Sequence, residues 1–345
     1  MPKIPYTTER VGPQPRLSSS PEGYAGQVIS TENSNFDTAY SFLRKKKGLS
    51  VPQRLEIIAS KVKTISARNS AYAEVVQWVG DLLAETVREN ELQEIYLLEL
   101  NPDLKIDSTD KLEGWKQGRP FLMPQELTLD WENITALYKR LVDLVKKRED
   151  GRRQVKGLLK AIEEMKNGTP VLMKAALASD FEAIDASAKA LNIDPPVLAL
   201  LLRLALRPTL TAIAQAVLKK LDLSHWHYGH CPICGSAPGL ADLSGEGGKR
   251  RLHCSLCETA WSYPRLRCPF CENDKREELG YLRAEKEEGL RVDLCGRCNH
   301  YLKTIDLREL AGPIIVPLDD TATWHLDIIA VKNLEDKGSN LSRAT

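Results

Sequence analysis

The sequence predicts an α+β multidomain protein: an all-α N-terminal domain followed by two small β modules, each built around four cysteines. Three observations carry this expectation. Apolar residues recur at helical spacing from about residue 35 to residue 221, and that periodicity stops after Leu223. Beyond it the apolar runs are short and β-like, as at 279–282 and 290–294. All eight cysteines fall there, as the Cys-x-x-Cys pairs Cys231/Cys234, Cys254/Cys257, Cys268/Cys271 and Cys295/Cys298.

The expected organisation is a flexible leader over 1–34, a helical domain over 35–224, a first four-cysteine metal module over 225–265, a second over 266–331 and a flexible tail over 332–345. The leader is rich in proline, serine and glycine and poor in large apolar side chains. In the helical domain, Ser50 and Pro52 suit the start of a helix with Leu55, Ile58, Val62 and Ile65 on one stripe. Further helices are expected over 72–83 and 92–100, the latter stopped by Asn101-Pro102. Residues 103–125 carry Gly114, Gly118, Pro120 and Pro124 and read as an irregular link. Asp130 can cap a helix with Ile134, Leu137, Leu141 and Leu144 on its apolar face. Shorter helices follow over 158–165, 171–177 and 181–191. The most apolar one opens at Asp194-Pro195-Pro196 and covers 197–206. Pro208 is expected to break or kink it before a further helix over 211–221. At about ten residues it is half a membrane span and reads as a buried core helix, with Arg203 and Arg207 as ion-paired or snorkelling residues at its edge.

With 345 residues and 42% apolar content the chain can fill a sizeable core, and a net charge of +1 provides no global field for nucleic acid or anionic lipid. No signal-peptide pattern is evident near the start and no segment reads as a membrane span, so the expected location is the cytoplasm. That compartment is reducing, and eight cysteines there read as metal ligands before disulfides.

Two residues between cysteines form a knuckle that aims two thiolates at one ion, and two knuckles complete a tetrahedral shell of four sulfurs. Sequential pairing gives Cys231, Cys234, Cys254 and Cys257 as site one, and Cys268, Cys271, Cys295 and Cys298 as site two. Interleaved pairing uses the same residues but closes longer loops at greater entropic cost. Gly235, Asn273 and Asn299 suit the left-handed turn that follows a knuckle, whereas the second knuckle offers Glu258 there. His230, His253 and His300 are near enough in sequence to ligate, yet eight cysteines already fill two sites. No catalytic residue is singled out. Tetrahedral thiolates accept iron and zinc alike.

Four stretches resemble the FdhE family of formate dehydrogenase accessory proteins. They are Leu200-Leu-Leu-Arg-Leu-Ala-Leu-Arg-Pro208; Trp226 and Gly229 ahead of Cys231-Pro-Ile-Cys-Gly235; Leu252-His-Cys-Ser-Leu-Cys-Glu-Thr-Ala-Trp261; and Cys295-Gly-Arg-Cys-Asn-His-Tyr-Leu-Lys303. The resemblance covers roughly 35–329. It implies rubredoxin-like modules that bind iron, in a cytoplasmic, non-enzymatic maturation factor or chaperone that engages the formate dehydrogenase catalytic subunit. Two other functions fit the residues. One is a zinc-ribbon nucleic-acid binder using Lys249, Arg250, Arg251, Arg265, Arg267, Lys275 and Arg276 with Trp261 and Tyr263. The other is an electron-transfer or thiol-redox protein, although no α/β unit of the thioredoxin kind surrounds a cysteine pair.

Overall fold

The computed structural model describes residues 6–10, 50–89, 108–123, 127–148, 156–159, 171–285 and 287–336. The helical half begins with α1 (Val51–Arg68), where the Ser50 backbone N–H donates to Gln53 Oε1 at 2.8 Å and Ile58, Val62 and Ile65 form the buried face. α2 (Ala73–Glu89) lies against it, and the contact is close because Gly80 has no side chain: a Cβ there would sit 2.7 Å from Val62 Cγ2. α3 is Thr109–Lys116 and α4 is Trp131–Lys146, the latter capped by Asp130 Oδ1, which accepts the Asn133 N–H at 3.0 Å. α5 (Val171–Ala178) and α6 (Phe181–Leu191) follow, α6 ending on Asn192 with a left-handed φ of 56°. The central helix is α7, Pro195–Leu218.

Four features depart from the sequence expectations. α7 is one helix of 24 residues with Pro208 inside it. A proline forfeits one backbone bond and strains the preceding turn, at about 3 kcal/mol; burial of α7 on nearly every side outweighs that cost. The helix is long and apolar enough to cross a bilayer, yet 78% of its apolar window is buried inside the protein, which makes it a core helix. Residues 103–125, read as irregular, contain α3, whose Trp115 is buried. Tyr6–Arg10, within the segment read as leader, forms strand β1. Two unexpected helices follow the sheet, α8 (Val316–Ala322) and α9 (Trp324–Asp336), the second running into the expected tail. The expected helix over 92–100 and most of that over 158–165 lie outside the described residues.

The β half comprises β2 (Pro238–Ser244), β3 (Lys249–Cys254), β4 (Ala260–Ser262), β5 (Leu279–Ala284), β6 (Leu290–Cys295) and β7 (Tyr301–Asp306). With β1 they form one seven-stranded sheet in the order β1-β5-β6-β7-β2-β3-β4. Each cysteine module contributes its own antiparallel strands, and these small sheets are fused by a parallel pairing of β2 with β7 from Ala241↔Thr304 to Leu243↔Asp306. Fusion has a physical motive, because two or three short strands bury little on their own. One face of the sheet, with Leu282, Val292 and Ile305, packs on Leu326, Ile329 and Leu334 of α9. α8 and α9 also tie back to the start of the helical half: Lys61 Nζ pairs with Asp319 at 2.8 Å, and Tyr72 Oη lies 2.8 Å from His325 Nδ1.

Candidate metal centres

Four knuckles share one backbone pattern. At the first cysteine of three of them the N–H donates to the carbonyl five residues on and the carbonyl accepts the N–H four residues on: Cys231 with Ser236 and Gly235, Cys268 with Asn273 and Glu272, Cys295 with His300 and Asn299. At the remaining knuckle, Cys254 N–H donates to Thr259 O at 2.9 Å. The residue after the second cysteine is left-handed in all four, with φ of 76° at Gly235, 61° at Glu258, 58° at Glu272 and 57° at Asn299. Asn273 is therefore not the turn residue expected from sequence. It is buried one place later and its Nδ2 lies 3.7 Å from Cys295 Sγ. The turn also directs N–H groups at sulfur, from Ile233 to Cys231, Leu256 to Cys254 and Phe270 to Cys268, at 3.3–3.4 Å. Such donors offset thiolate charge.

The cysteines gather sequentially, as Cys231/Cys234/Cys254/Cys257 and Cys268/Cys271/Cys295/Cys298, with all sulfurs of a set within 4.8 Å of one another. Sγ–Sγ distances are 3.5 Å for Cys231–Cys257 and 3.4 Å for Cys234–Cys254, and 3.7 Å for both Cys268–Cys298 and Cys271–Cys295. A tetrahedral ion with metal–sulfur bonds of about 2.3 Å sets its sulfurs about 3.8 Å apart, close to these spacings and far from a disulfide. Burial above all pushes Cys231 and Cys254 well up, while bonds from Cys231, Cys254 and Cys257 draw Cys234 well down. In the second set Cys268 is pushed up to about 12 and Cys298 is also raised, each first through its thiol neighbours, while bonds from Cys268 and Cys298 draw Cys295 down. Each set thus supports a thiolate propped by its neighbours, and holding four thiolates in that volume takes a cation. Both sets could hold a metal ion. They differ in exposure: the first is fully buried, whereas Cys271 and Cys298 of the second are partly exposed.

The neighbouring histidines point elsewhere. His253 Nε2 lies 2.5 Å from Asp242 Oδ2, in a buried group with Arg251, where those two partners more than offset the burial that would raise Asp242 and hold it below the usual carboxylate range. His230 Nε2 lies 2.9 Å from Gly118 O, and the His300 ring stacks on Phe270. Glu258, the unusual turn residue, is explained by its side chain. Its carboxylate takes both Nε and Nη2 of Arg207, whose Nη1 donates to Thr86 Oγ1 at 2.8 Å, all in the interior. Arg207 is the ion-paired residue expected on α7, and its partner is a knuckle residue.

The first centre is also held from the helical side. Phe121 N–H donates to Pro232 O at 3.0 Å, Leu122 N–H to Ile233 O at 2.7 Å and Trp115 Nε1 to Pro232 O at 3.1 Å. Trp115 stacks on Trp226 with ring centroids 5.3 Å apart. Gly229 brings the two centres together, since a Cβ there would meet Pro269 O at 1.9 Å. Trp261 and Tyr263, the aromatics of the nucleic-acid alternative, are buried and so present no stacking surface.

Residues 230–265 match the family model "FdhE, central domain". Proteins named "Protein FdhE homolog" are similar to part of this chain: that of Aquifex aeolicus is 35% identical over 128 residues, covering 36% of this chain and 44% of the relative. That of Edwardsiella ictaluri is 39% identical over 100 residues, 28% of this chain and 32% of the relative, and one from Haemophilus influenzae is 36% identical over 112 residues, 32% and 35%. The matched segments thus span less than half the length of each of these relatives. The crystal structure of the FdhE protein from Pseudomonas aeruginosa shares the fold, with a TM-score of 0.55 at 20% identity over 84% of this chain and 93% of that one. Residues 230–265 are thus similar to the central domain of FdhE proteins, and the fold is shared with one of them.

Proposed function

We propose that this chain is a non-enzymatic accessory protein for formate dehydrogenase maturation that engages the catalytic subunit in the cytoplasm, with its eight cysteines binding two metal ions. The observation that carries the metal assignment is the pair of complete four-sulfur sets at near-tetrahedral spacing. The likeness to FdhE proteins supplies the client. The first centre is read as structural: its cysteines share one core with the helical domain, so its ion would fix the helices and the sheet relative to each other. Co-purification with a formate dehydrogenase catalytic subunit under anaerobic conditions tests the reading, and failure of the two to associate would count against it.

Iron is favoured over zinc by the family resemblance, and elemental analysis with the visible spectrum of anaerobically prepared protein decides it, since a ferric tetrathiolate is coloured and a zinc one is not. A second reading, electron transfer through iron, is favoured at the second centre by the partial exposure of Cys271 and Cys298. It requires reversible bleaching of the visible band by a reductant, with stoichiometry near one electron per exposed site.

A further inference from the structure

Beside the second centre, on the opposite side of the sheet from α9, lies a cavity of about 60 Å³ whose wall includes Arg250, Arg265 and Arg291. That is room for a small ion and not for a base or a nucleotide. Arg250 is 4% exposed. Its Nη1 is anchored on two backbone carbonyls, Arg265 O at 3.2 Å and Arg267 O at 3.3 Å, and its guanidinium lies over the Tyr263 ring. Nε and Nη2 have no hydrogen-bond partner among the described residues. These two nitrogens form the edge of a guanidinium that takes both oxygens of an oxyanion side by side. A buried cation with that edge unfilled is costly, and its orientation is already fixed by the Nη1 anchors.

The surrounding charge is unbalanced in the same sense. Arg265 senses Arg291 and Arg308 as like charges, against the carboxylates Asp293 and Asp306. Asp293 is bound to Arg291 at 2.9 Å and accepts from Thr304 Oγ1 at 2.8 Å, and Asp306 is bound to Arg308. Counting Arg250, four guanidinium groups face two carboxylates, an excess that the net negative charge of the tetrathiolate centre, whose Cys268 and Cys295 line the same wall, reduces.

We propose that this cavity is an oxyanion site for a phosphate-type anion, free or as the terminal group of a small monoester, gripped by the Nε/Nη2 edge of Arg250. The site rests on Arg250 and its neighbours and is independent of the client assigned to the protein. Calorimetric titration of the full-length, metal-loaded protein with inorganic phosphate in chloride buffer is expected to show saturable binding at one site, with sulfate competing. Arg250→Lys keeps the charge but removes the paired donors, and it should weaken binding about tenfold or more while leaving the metal content unchanged. Arg265→Gln, which leaves the carbonyl anchor in place, should weaken it severalfold and serves if the Arg250 variant fails to fold. Glycerol phosphate competing as well as inorganic phosphate would assign an ester, and its failure to compete a free ion. No saturable binding, or undiminished affinity in either folded variant, overturns the proposal and leaves the edge to bound water. Tighter binding of a single-stranded oligonucleotide than of phosphate, with the same Arg250 dependence, overturns it in favour of a nucleic-acid backbone.

Discussion

At Glu258 a backbone cost competes with a side-chain gain. A non-glycine residue at φ 61° carries roughly 1–2 kcal/mol of strain that glycine would relieve. Removing the carboxylate, however, strands Arg207 in the interior, and breaking one partner of a buried pair costs about 3–5 kcal/mol. The second effect is larger, so Glu258→Gly should destabilise the protein. Combining it with Arg207→Met should recover much of the loss, because no unpaired charge remains. Denaturant midpoints of the two single variants and the double variant decide this; a Glu258→Gly protein more stable than wild type would refute the assignment. A second titratable contact lies at the other end of the molecule. His325, 2.7 Å away, holds the Glu287 carboxyl below its usual range. The folded pKa of Glu287 is depressed, so the extra stability is present above the unfolded value of about 4.3 and fades as pH falls through the folded one. The stability difference between wild type and Glu287→Gln, at most about 1 kcal/mol for a partly exposed pair, should therefore shrink as pH falls from neutral to below the unfolded value. A difference independent of pH would exclude the pair as its source.

Among the elements, α3 and the strap behind it have the clearest consequence. Trp115 is buried between Trp226 and the first knuckle, so Trp115→Ala should cost about 3–5 kcal/mol. It should also release residues 117–123 to proteolysis before the helical core is cut. Simultaneous cleavage throughout would show that the strap is not separately held. This element was also the hardest to read from sequence. Its glycines and prolines resemble a linker because the apolar residues, Trp115, Phe121 and Leu122, are too few for a periodic stripe; they pack on one distant partner. The same limit hid α8 and α9, whose short apolar sets pack on α2 and on the sheet respectively and have polar residues such as Asp319 and Asp327 bound inside. By contrast α1 and α4 were legible in their caps and stripes. The cysteine sets were legible in spacing alone, since a knuckle is a local object. Pro208 misled because its local penalty is visible in sequence and the burial that outweighs it is not.

For the whole molecule, the two centres differ in what they support. The first shares a core with α2, α4 and α7, whereas the second module packs its own smaller core against α9. Cys254→Ser and Cys298→Ser should each remove one of two metal equivalents. The first should lower the thermal midpoint much more and loosen amide protection in α7, and the second should perturb mainly β5 to β7. Equal effects by calorimetry and hydrogen exchange would mean that the two centres carry the fold alike. The shared sheet sets an order of events during synthesis. β2 cannot take its parallel neighbour until β7 has left the ribosome, and β1 must wait for β5, which lies much later in the chain. The first knuckles can close around an ion while the β2 edge of their sheet is still open. Such late, long-range closures are slow, so the nascent protein passes through a stage in which its metal ligands are assembled but its sheet edges await partners.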